Sequence, residues 1–171
     1  MNKKRTMFVV KAGVIAAVYV VLTMISAMFG LSSGVIQVRI SEAMSFLPFI
    51  TSAAIPGLTI GCLISNAIAG GVPLDIVFGS VATLIGAICA WLLGKAFKKR
   101  KTLGMILSTI PNVISNALIV PWVLKFAYGA TDAVWFMMLT VGIGEIIASV
   151  ILGVIVISAL KDKLKFLGKE Q

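Results

Sequence analysis

Charged side chains are scarce in the apolar parts of this sequence, and the few found there are the residues able to do chemistry. Glu145 lies about a dozen residues into the apolar run 133–160. A carboxylate at the centre of a membrane helix costs about 2.5–3.5 kcal/mol on insertion scales, so a partner or a bound solute must offset it. We expect Glu145 to bind a ligand or a proton; the alternative is a hydrogen-bonded structural residue.

Arg39 and Glu42 lie within the stretch VIQVRISEAMSFLPF at 35–49, and Glu42 has two interpretations. In the first, Ser41 caps a short helix and Glu42 occupies its first turn, where the helix dipole favours a carboxylate. In the second, Arg39 and Glu42 face an outer cavity, paired with each other or with a bound solute.

Amide side chains occur in two other apolar runs. Asn112 and Asn116 are four residues apart and share a helix face, and Asn66 lies one turn from the end of its run. Such amides act either as interhelical hydrogen-bonding groups or as ligand contacts. Asp75 is expected to be the N-cap of the helix that begins at Ile76.

Trp122 and Trp135 fall near predicted helix ends, at the same end of the bundle as Asn66 and Asp75. Tryptophan at helix ends is typical of the aromatic belt at a membrane surface. These two indoles are also candidates to stack on a flat ligand.

Several kinds of catalytic site are excluded by composition. The chain has no His, and its two cysteines, Cys62 and Cys89, each lie inside an apolar run. Neither a zinc site nor a nucleophile triad can be assembled from this set, and no phosphate-binding glycine loop of the Walker type occurs. We therefore expect no enzyme, no metal and no cofactor in this chain, with any ATP used by partner subunits.

The composition is that of an integral membrane protein. Of its 171 residues 60% are hydrophobic and 12% charged, and the mean hydropathy is +1.10. Of 15 Lys and Arg, four lie at 3–11, five at 95–101 and four at 161–169. The positive-inside rule places all three groups in the cytoplasm and explains the net charge of +9 without a nucleic-acid partner.

An even number of crossings must separate the first two basic groups, so a turn is required near residues 51–56. The result is one all-α domain, 1–171, a six-transmembrane-helix bundle in the cell membrane with cytoplasmic N and C termini. A short second helix follows an extended outer loop. The predicted segments are about 7–29, 41–52, 55–70, 76–94, 103–126 and 133–160, with Pro111 and Pro121 kinking the fifth. This topology brings the unusual polar residues toward an outer solute pocket.

Ala12 and Ala16 form a small-residue patch on the first helix. Patches of this kind let two helices approach closely. The patch serves either packing within the bundle or docking of another subunit.

Four stretches, VRISEAMSFLPF, AAIPGLTIGCLISN, DIVFGSVATLIGA and PNVISNALIVP, resemble the QueT-type family of queuosine-precursor transporters over about residues 7–160. The resemblance implies a substrate-specificity (S) component of an energy-coupling factor (ECF) transporter. Such a component captures a 7-deazaguanine from outside and pairs with a transmembrane coupling subunit and two ABC ATPases. It also implies docking of the coupling subunit at the patch formed by Ala12 and Ala16.

A 7-deazaguanine presents adjacent N–H donors that a carboxylate accepts together. We expect Glu145 or Glu42 on this edge, a Trp on the ring, and amides on the remaining polar atoms, from Asn66, Asn112 and Asn116. The aminomethyl base, its nitrile precursor and another vitamin-like heterocycle stay open as substrates. The alternatives are a stand-alone proton-coupled carrier that uses Glu145 and a purely structural membrane protein.

Overall fold

The computed structural model describes residues 3–32, 36–97 and 101–167, without the side chains of 101 and 161–167. Parts of the expected extended outer loop and of the basic groups at 95–101 and 161–169 therefore lie outside the described residues. The described helices are α1 (Lys3–Met28), α2 (Leu47–Ile50), α3 (Ala54–Ile68), α4 (Pro73–Ala96), α5 (Lys101–Leu107), α6 (Ile110–Ala127), α7 (Val134–Glu145) and α8 (Gly153–Leu167). A 3₁₀ segment covers Ile40–Met44, and a π-helical segment covers Ile146–Leu152.

Four stretches of the described chain are long and apolar enough to cross a membrane, namely Lys3–Met28, Pro73–Ala96, Thr102–Ala127 and Val134–Leu160. Two shorter apolar stretches, Ile40–Ile50 and Ala54–Ile68, lie between the first and second of these. A helix must run about 20 residues to cross the hydrocarbon core. The structure thus confirms an all-α membrane bundle.

Small residues bring α1 and α3 into close contact. A Cβ atom added to Gly57 would lie 2.9 Å from the carbonyl oxygen of Ala12, and one added to Gly61 would lie 3.1 Å from that of Ala16. Both alanines are buried. Packing within the bundle, one of the two interpretations of this patch, is therefore what the structure shows; docking of a partner there stays a prediction.

The small-residue face of α4 packs on three neighbouring segments. A Cβ atom at any of three glycines would come within 2.6–2.9 Å of a neighbour, Gly79 meeting Asn66, Gly86 meeting Asn112 and Gly94 meeting Phe49. Glycine at these positions lets other helices approach the α4 backbone closely. Two of the amides noted in the sequence are positioned in this way.

The start of α4 differs from the prediction. The helix begins at Pro73 with Val72 as its N-cap, so Asp75 lies in the first turn and is not the cap. Proline suits this position because its fixed φ is helical and its missing N–H would have had no intrahelical partner. The Asp75 carboxylate is left available for other contacts.

The capping prediction for Ser41 is also wrong. The 3₁₀ segment has Arg39 as its N-cap and no side-chain cap. The Ser41 hydroxyl instead accepts a hydrogen bond from Thr23 Oγ1 at 2.8 Å. A contact with α1 therefore takes the place of the local cap.

The expected fifth helix is divided into α5 and α6, with Ser108 and Thr109 between them. Pro111 lies in the first turn of α6, whereas Pro121 lies inside it. Proline in a first turn is tolerated, but it cannot donate to a preceding turn, so the helix restarts just before Pro111. The restart leaves Asn112 in the first turn of α6.

Candidate functional site

A cavity of about 490 Å³ lies where α3 ends and α4 begins, which is within the size range of small-molecule sites. Polar side chains from several separate elements line it, including Thr23, Ser32, Gln37, Arg39, Asn66, Asp75 and Tyr128. Three of the predicted site residues, Arg39, Asn66 and Asp75, are thus brought together.

Arg39 enters the cavity from an extended stretch of backbone (φ −100°, ψ 110°). The stretch is held by a hydrogen bond from the Val38 amide to the Leu31 carbonyl, at 2.8 Å. Within the described chain the guanidinium donates one hydrogen bond, to Asn66 Oδ1 at 3.2 Å. Because a guanidinium has five N–H donors, most of its donor capacity faces the cavity.

Asp75 contributes a carboxylate to the same cavity. Its Oδ2 accepts a hydrogen bond from the Tyr128 hydroxyl at 2.9 Å, and Oδ1 has no donor within the described chain. Burial raises the pKa of the Tyr128 hydroxyl, and the bond to Asp75 raises it further. The phenol therefore stays a donor, and Asp75 keeps one oxygen for a solute.

A second polar group, which we call the carboxylate cluster, consists of Tyr19, Glu42, Asn112, Glu145 and Ser149, all buried. Asn112 Nδ2 lies 2.8 Å from Glu42 Oε2, 3.2 Å from Glu145 Oε2 and 3.0 Å from Ser149 Oγ. Tyr19 donates to the other Glu42 oxygen, and Ser149 donates to Glu145 Oε2 at 3.1 Å. One amide nitrogen with two hydrogens thus faces three acceptors.

The cluster adjoins the cavity but is not part of its wall. Thr23 lines the cavity and also donates to Ser41, the residue before Glu42. Arg39 turns toward Asn66, whereas Glu42 turns toward Tyr19 and Asn112. Within the described chain no hydrogen bond or ion pair joins Arg39 to Glu42, and pairing with a bound solute, the other alternative, stays a prediction.

Two local features of the last span shape the site. At Gly144 a Cβ atom would overlap the Gln37 carbonyl oxygen, so glycine is needed for the stretch of chain that contains Gln37 to pack against α7. Immediately after Glu145 the helix becomes π-helical. Such segments are frequent at functional sites, and this one carries Ser149 to the Glu145 carboxylate.

The remaining predicted residues lie elsewhere. Asn116 is buried and donates to the Asn112 carbonyl at 3.0 Å, away from the cavity. Trp122 and Trp135 are 46% and 65% exposed and do not line the cavity. The structure therefore does not bring either indole to a solute there, and their positions fit an aromatic belt.

Tyr19, Thr23, Gln37 and Tyr128 belong to the two polar groups but were not predicted. For Tyr19 and Thr23 a signal existed, because they are polar residues four positions apart in an apolar run and so share a helix face.

Within the described part of the chain, no group of three His, Cys, Asp or Glu residues is arranged to hold a metal.

The fold and the site define a multi-pass membrane protein with a polar cavity among its helices. The family model described as QueT transporter matches residues 9–162, and the chain belongs to the QueT transporter family. This confirms the resemblance noted in the sequence. Family membership together with four candidate spans identifies a protein of the cell membrane.

A curated relative is the queuosine precursor transporter QueT of Lactococcus lactis subsp. cremoris (strain MG1363). It is 36% identical over 99 residues, which are 58% of this chain and 58% of the relative. The match thus spans somewhat more than half of the relative's length. No solved structure matches the chain.

Proposed function

We propose that this protein is the substrate-binding S component of an ECF-type ABC importer. It captures a queuosine precursor, 7-aminomethyl- or 7-cyano-7-deazaguanine, from the outer side of the membrane. The observation that carries the proposal is the cavity in which unused donors of Arg39 and an unused acceptor oxygen of Asp75 face the same space. The family and the name of its curated relative indicate the class of solute.

The polar groups of the cavity complement a deazaguanine. The Asp75 carboxylate accepts from the adjacent N–H groups of the pyrimidine edge, and Arg39 donates to the ring carbonyl. Asn66 is 4% exposed and already accepts from Arg39, so it orients the guanidinium. The cavity volume of about 490 Å³ accommodates a bicyclic ring with several waters.

The carboxylate cluster offers a second mode of binding. A solute that enters more deeply would replace the Asn112 amide as the donor to Glu42 and Glu145, which are the acids the sequence analysis favoured. Two carboxylates so close together favour a cation. This mode therefore favours the aminomethyl base over the neutral nitrile.

We propose the six-span topology with both termini in the cytoplasm, and packing supports a crossing by Ile40–Ile50. Arg39 bonds to Asn66, whose Nδ2 lies 3.4 Å from the carbonyl of Asp75 in the first turn of α4. Phe49 packs on Gly94 in the last turn of α4. One end of this stretch therefore lies near the start of α4, and its other end packs on the last turn of α4.

The partners in this proposal are a transmembrane coupling subunit and two ABC ATPases, which use the ATP. The coupling subunit would dock on α1. Since Ala12 and Ala16 face α3, direct contact would use the exposed side of α1, where Gly13 and Ala17 lie.

Isothermal titration of the purified protein with both deazaguanines and guanine tests capture. We expect a deazaguanine to bind at least tenfold more tightly than guanine. Asp75→Asn abolishes binding if the cavity holds the donor edge, whereas Glu145→Gln abolishes it if the cluster does. No binding of any of the three bases would overturn the capture function.

The alternative of a stand-alone proton-coupled carrier rests on the buried Glu145. In cells, uptake that survives inactivation of the ATPases but collapses with the proton gradient would favour the carrier. Uptake that requires the ATPases supports the S component.

A further inference from the structure

Three hydroxyl groups form a column on one face of α1. Tyr19, Thr23 and Ser26 are spaced by four and three residues, which places them above one another on the helix. All three are almost completely buried, with exposed fractions of 1%, 3% and 0%. Neighbouring faces of α1 carry exposed valines, so the column is a polar stripe in the part of the helix that follows Lys11 and is otherwise apolar.

Each hydroxyl of the column contacts a successive residue of the 3₁₀ segment. Ser26 Oγ accepts from the Ile40 amide at 2.8 Å and Thr23 Oγ1 donates to Ser41 Oγ at 2.8 Å, while the Tyr19 hydroxyl donates to the Glu42 carboxylate. The 3₁₀ segment has no side-chain cap of its own. The column therefore supplies, from another helix, the hydrogen bond that a cap would have supplied.

We propose that Tyr19, Thr23 and Ser26 are positioning residues through which α1 sets the location of Arg39 and Glu42. Arg39 immediately precedes the three bonded residues, and Glu42 is the last of them. A displacement of α1 relative to α3 carries the segment with it and withdraws both charged groups from the site. The consequence for solute affinity rests on the proposed function, but the positioning itself does not.

Backbone hydrogen exchange of residues 36–46, measured on the purified protein without solute, tests the positioning. Ser26→Ala is compared with Ser80→Ala, because both serines are buried and donate to the carbonyl four residues earlier in their own helix. Only Ser26 also accepts from Ile40. We expect exchange at the Ile40 amide to accelerate at least tenfold in Ser26→Ala and to be unchanged in Ser80→Ala; equal rates in both variants would overturn the proposal.

Substitution of Thr23 gives an independent test at one position. Thr23→Ser keeps the hydroxyl and should leave exchange of 36–46 unchanged, while the isosteric Thr23→Val should accelerate it. Should Thr23→Val fail to fold, Tyr19→Phe removes the bond to Glu42 with the ring retained. Normal exchange in all hydroxyl-deleted variants would refute the column.

Titration with 7-aminomethyl-7-deazaguanine separates this inference from the proposed function. We expect Tyr19→Phe to bind the base about tenfold more weakly than the unsubstituted protein, and Ser80→Ala to bind it normally. Faster exchange in the variants, with no binding by the unsubstituted protein, refutes the capture function and leaves the column intact. Unchanged exchange in the variants, with normal binding by the unsubstituted protein, refutes the column and leaves the capture function intact.

Discussion

Glu42 and Glu145, from segments about a hundred residues apart in sequence, accept hydrogen bonds from the same atom, Asn112 Nδ2, at 2.8 and 3.2 Å. Both carboxylates are buried, with exposed fractions of 2% and 8%. A single amide thus offsets part of the cost of two acids in one place. Of the residues in the carboxylate cluster, Asn112 is therefore the one whose substitution we expect to lower the free energy of unfolding most.

The first prediction concerns that amide. Asn112→Leu keeps the size of the side chain but removes the shared donor, so we expect a loss of about 1–3 kcal/mol in the free energy of unfolding. Denaturant unfolding measures the loss, and Asn116→Leu is the control because Asn116 bonds to a backbone carbonyl and to neither acid. Adding Glu145→Gln to Asn112→Leu should restore part of the stability. Equal losses in the two Leu variants would contradict the role of Asn112.

A second prediction uses two glycines of α7. At Gly144 a new Cβ atom would overlap the Gln37 carbonyl, whereas at Gly142 it would lie 3.7 Å from the Ala117 Cβ, an ordinary contact. We expect Gly144→Ala to displace the segment that carries Arg39 and to weaken solute binding at least tenfold. Gly142→Ala should bind normally and gain up to about 1 kcal/mol of stability from helix propensity. Titration calorimetry measures solute binding by the two variants, and thermal unfolding measures their stability. Normal binding by Gly144→Ala would contradict the prediction, because the segment that carries Arg39 would then have adjusted to the added methyl group.

The third prediction is a pH dependence at the rim of the cavity. Because the pKa of Tyr128 is raised above 10.0 in the folded protein, the unfolded chain releases its phenol proton first as the pH rises. The bond from Tyr128 to Asp75 therefore stabilises the fold fully below pH 10 and is lost as the pH rises through the folded pKa. Thermal unfolding should show Tyr128→Phe less stable than the parent at neutral pH, with the gap closing in strong base. A gap that persists unchanged in strong base would contradict the prediction, because the stabilisation would then not depend on the phenol proton that Tyr128 donates to Asp75.

A fourth prediction concerns the exposed indoles. Trp122 stacks on Phe126 with 5.9 Å between ring centroids, and neither Trp122 nor Trp135 lines the cavity. Trp122→Phe and Trp135→Phe should therefore leave the affinity for a deazaguanine within twofold of the parent value in titration calorimetry. Strong weakening by either change would restore the stacking role that the sequence suggested.

The class of the fold was predictable because the lengths of apolar runs and the positions of Lys and Arg are local properties of a sequence. The close packing of Gly57 and Gly61 was predictable for the same reason, since four-residue spacing places both on one face. Helix starts were less predictable. Asp75 suits a cap as well as a first turn, and only the preceding Pro73 distinguishes the two.

Only part of the membership of the candidate site was predicted, and its arrangement was not. Arg39 and Glu42 are three residues apart, yet the turn into the 3₁₀ segment sends one to the cavity and the other to the cluster. The bond from Asn112 to Glu42 joins residues 70 positions apart. Such contacts depend on how α1, α6 and α7 pack around the segment, and no short-range pattern records that packing.

The π-helical segment Ile146–Leu152 makes the number of residues in the last span a structural parameter in its own right. A π-helical turn holds about one residue more than an α-helical turn, so deleting Ile147 would let the segment close as an α-helix, with the residues beyond it keeping nearly the same orientation relative to Glu145. We therefore expect a single-residue deletion within Ile146–Leu152 to be tolerated better than the same deletion elsewhere in the last span.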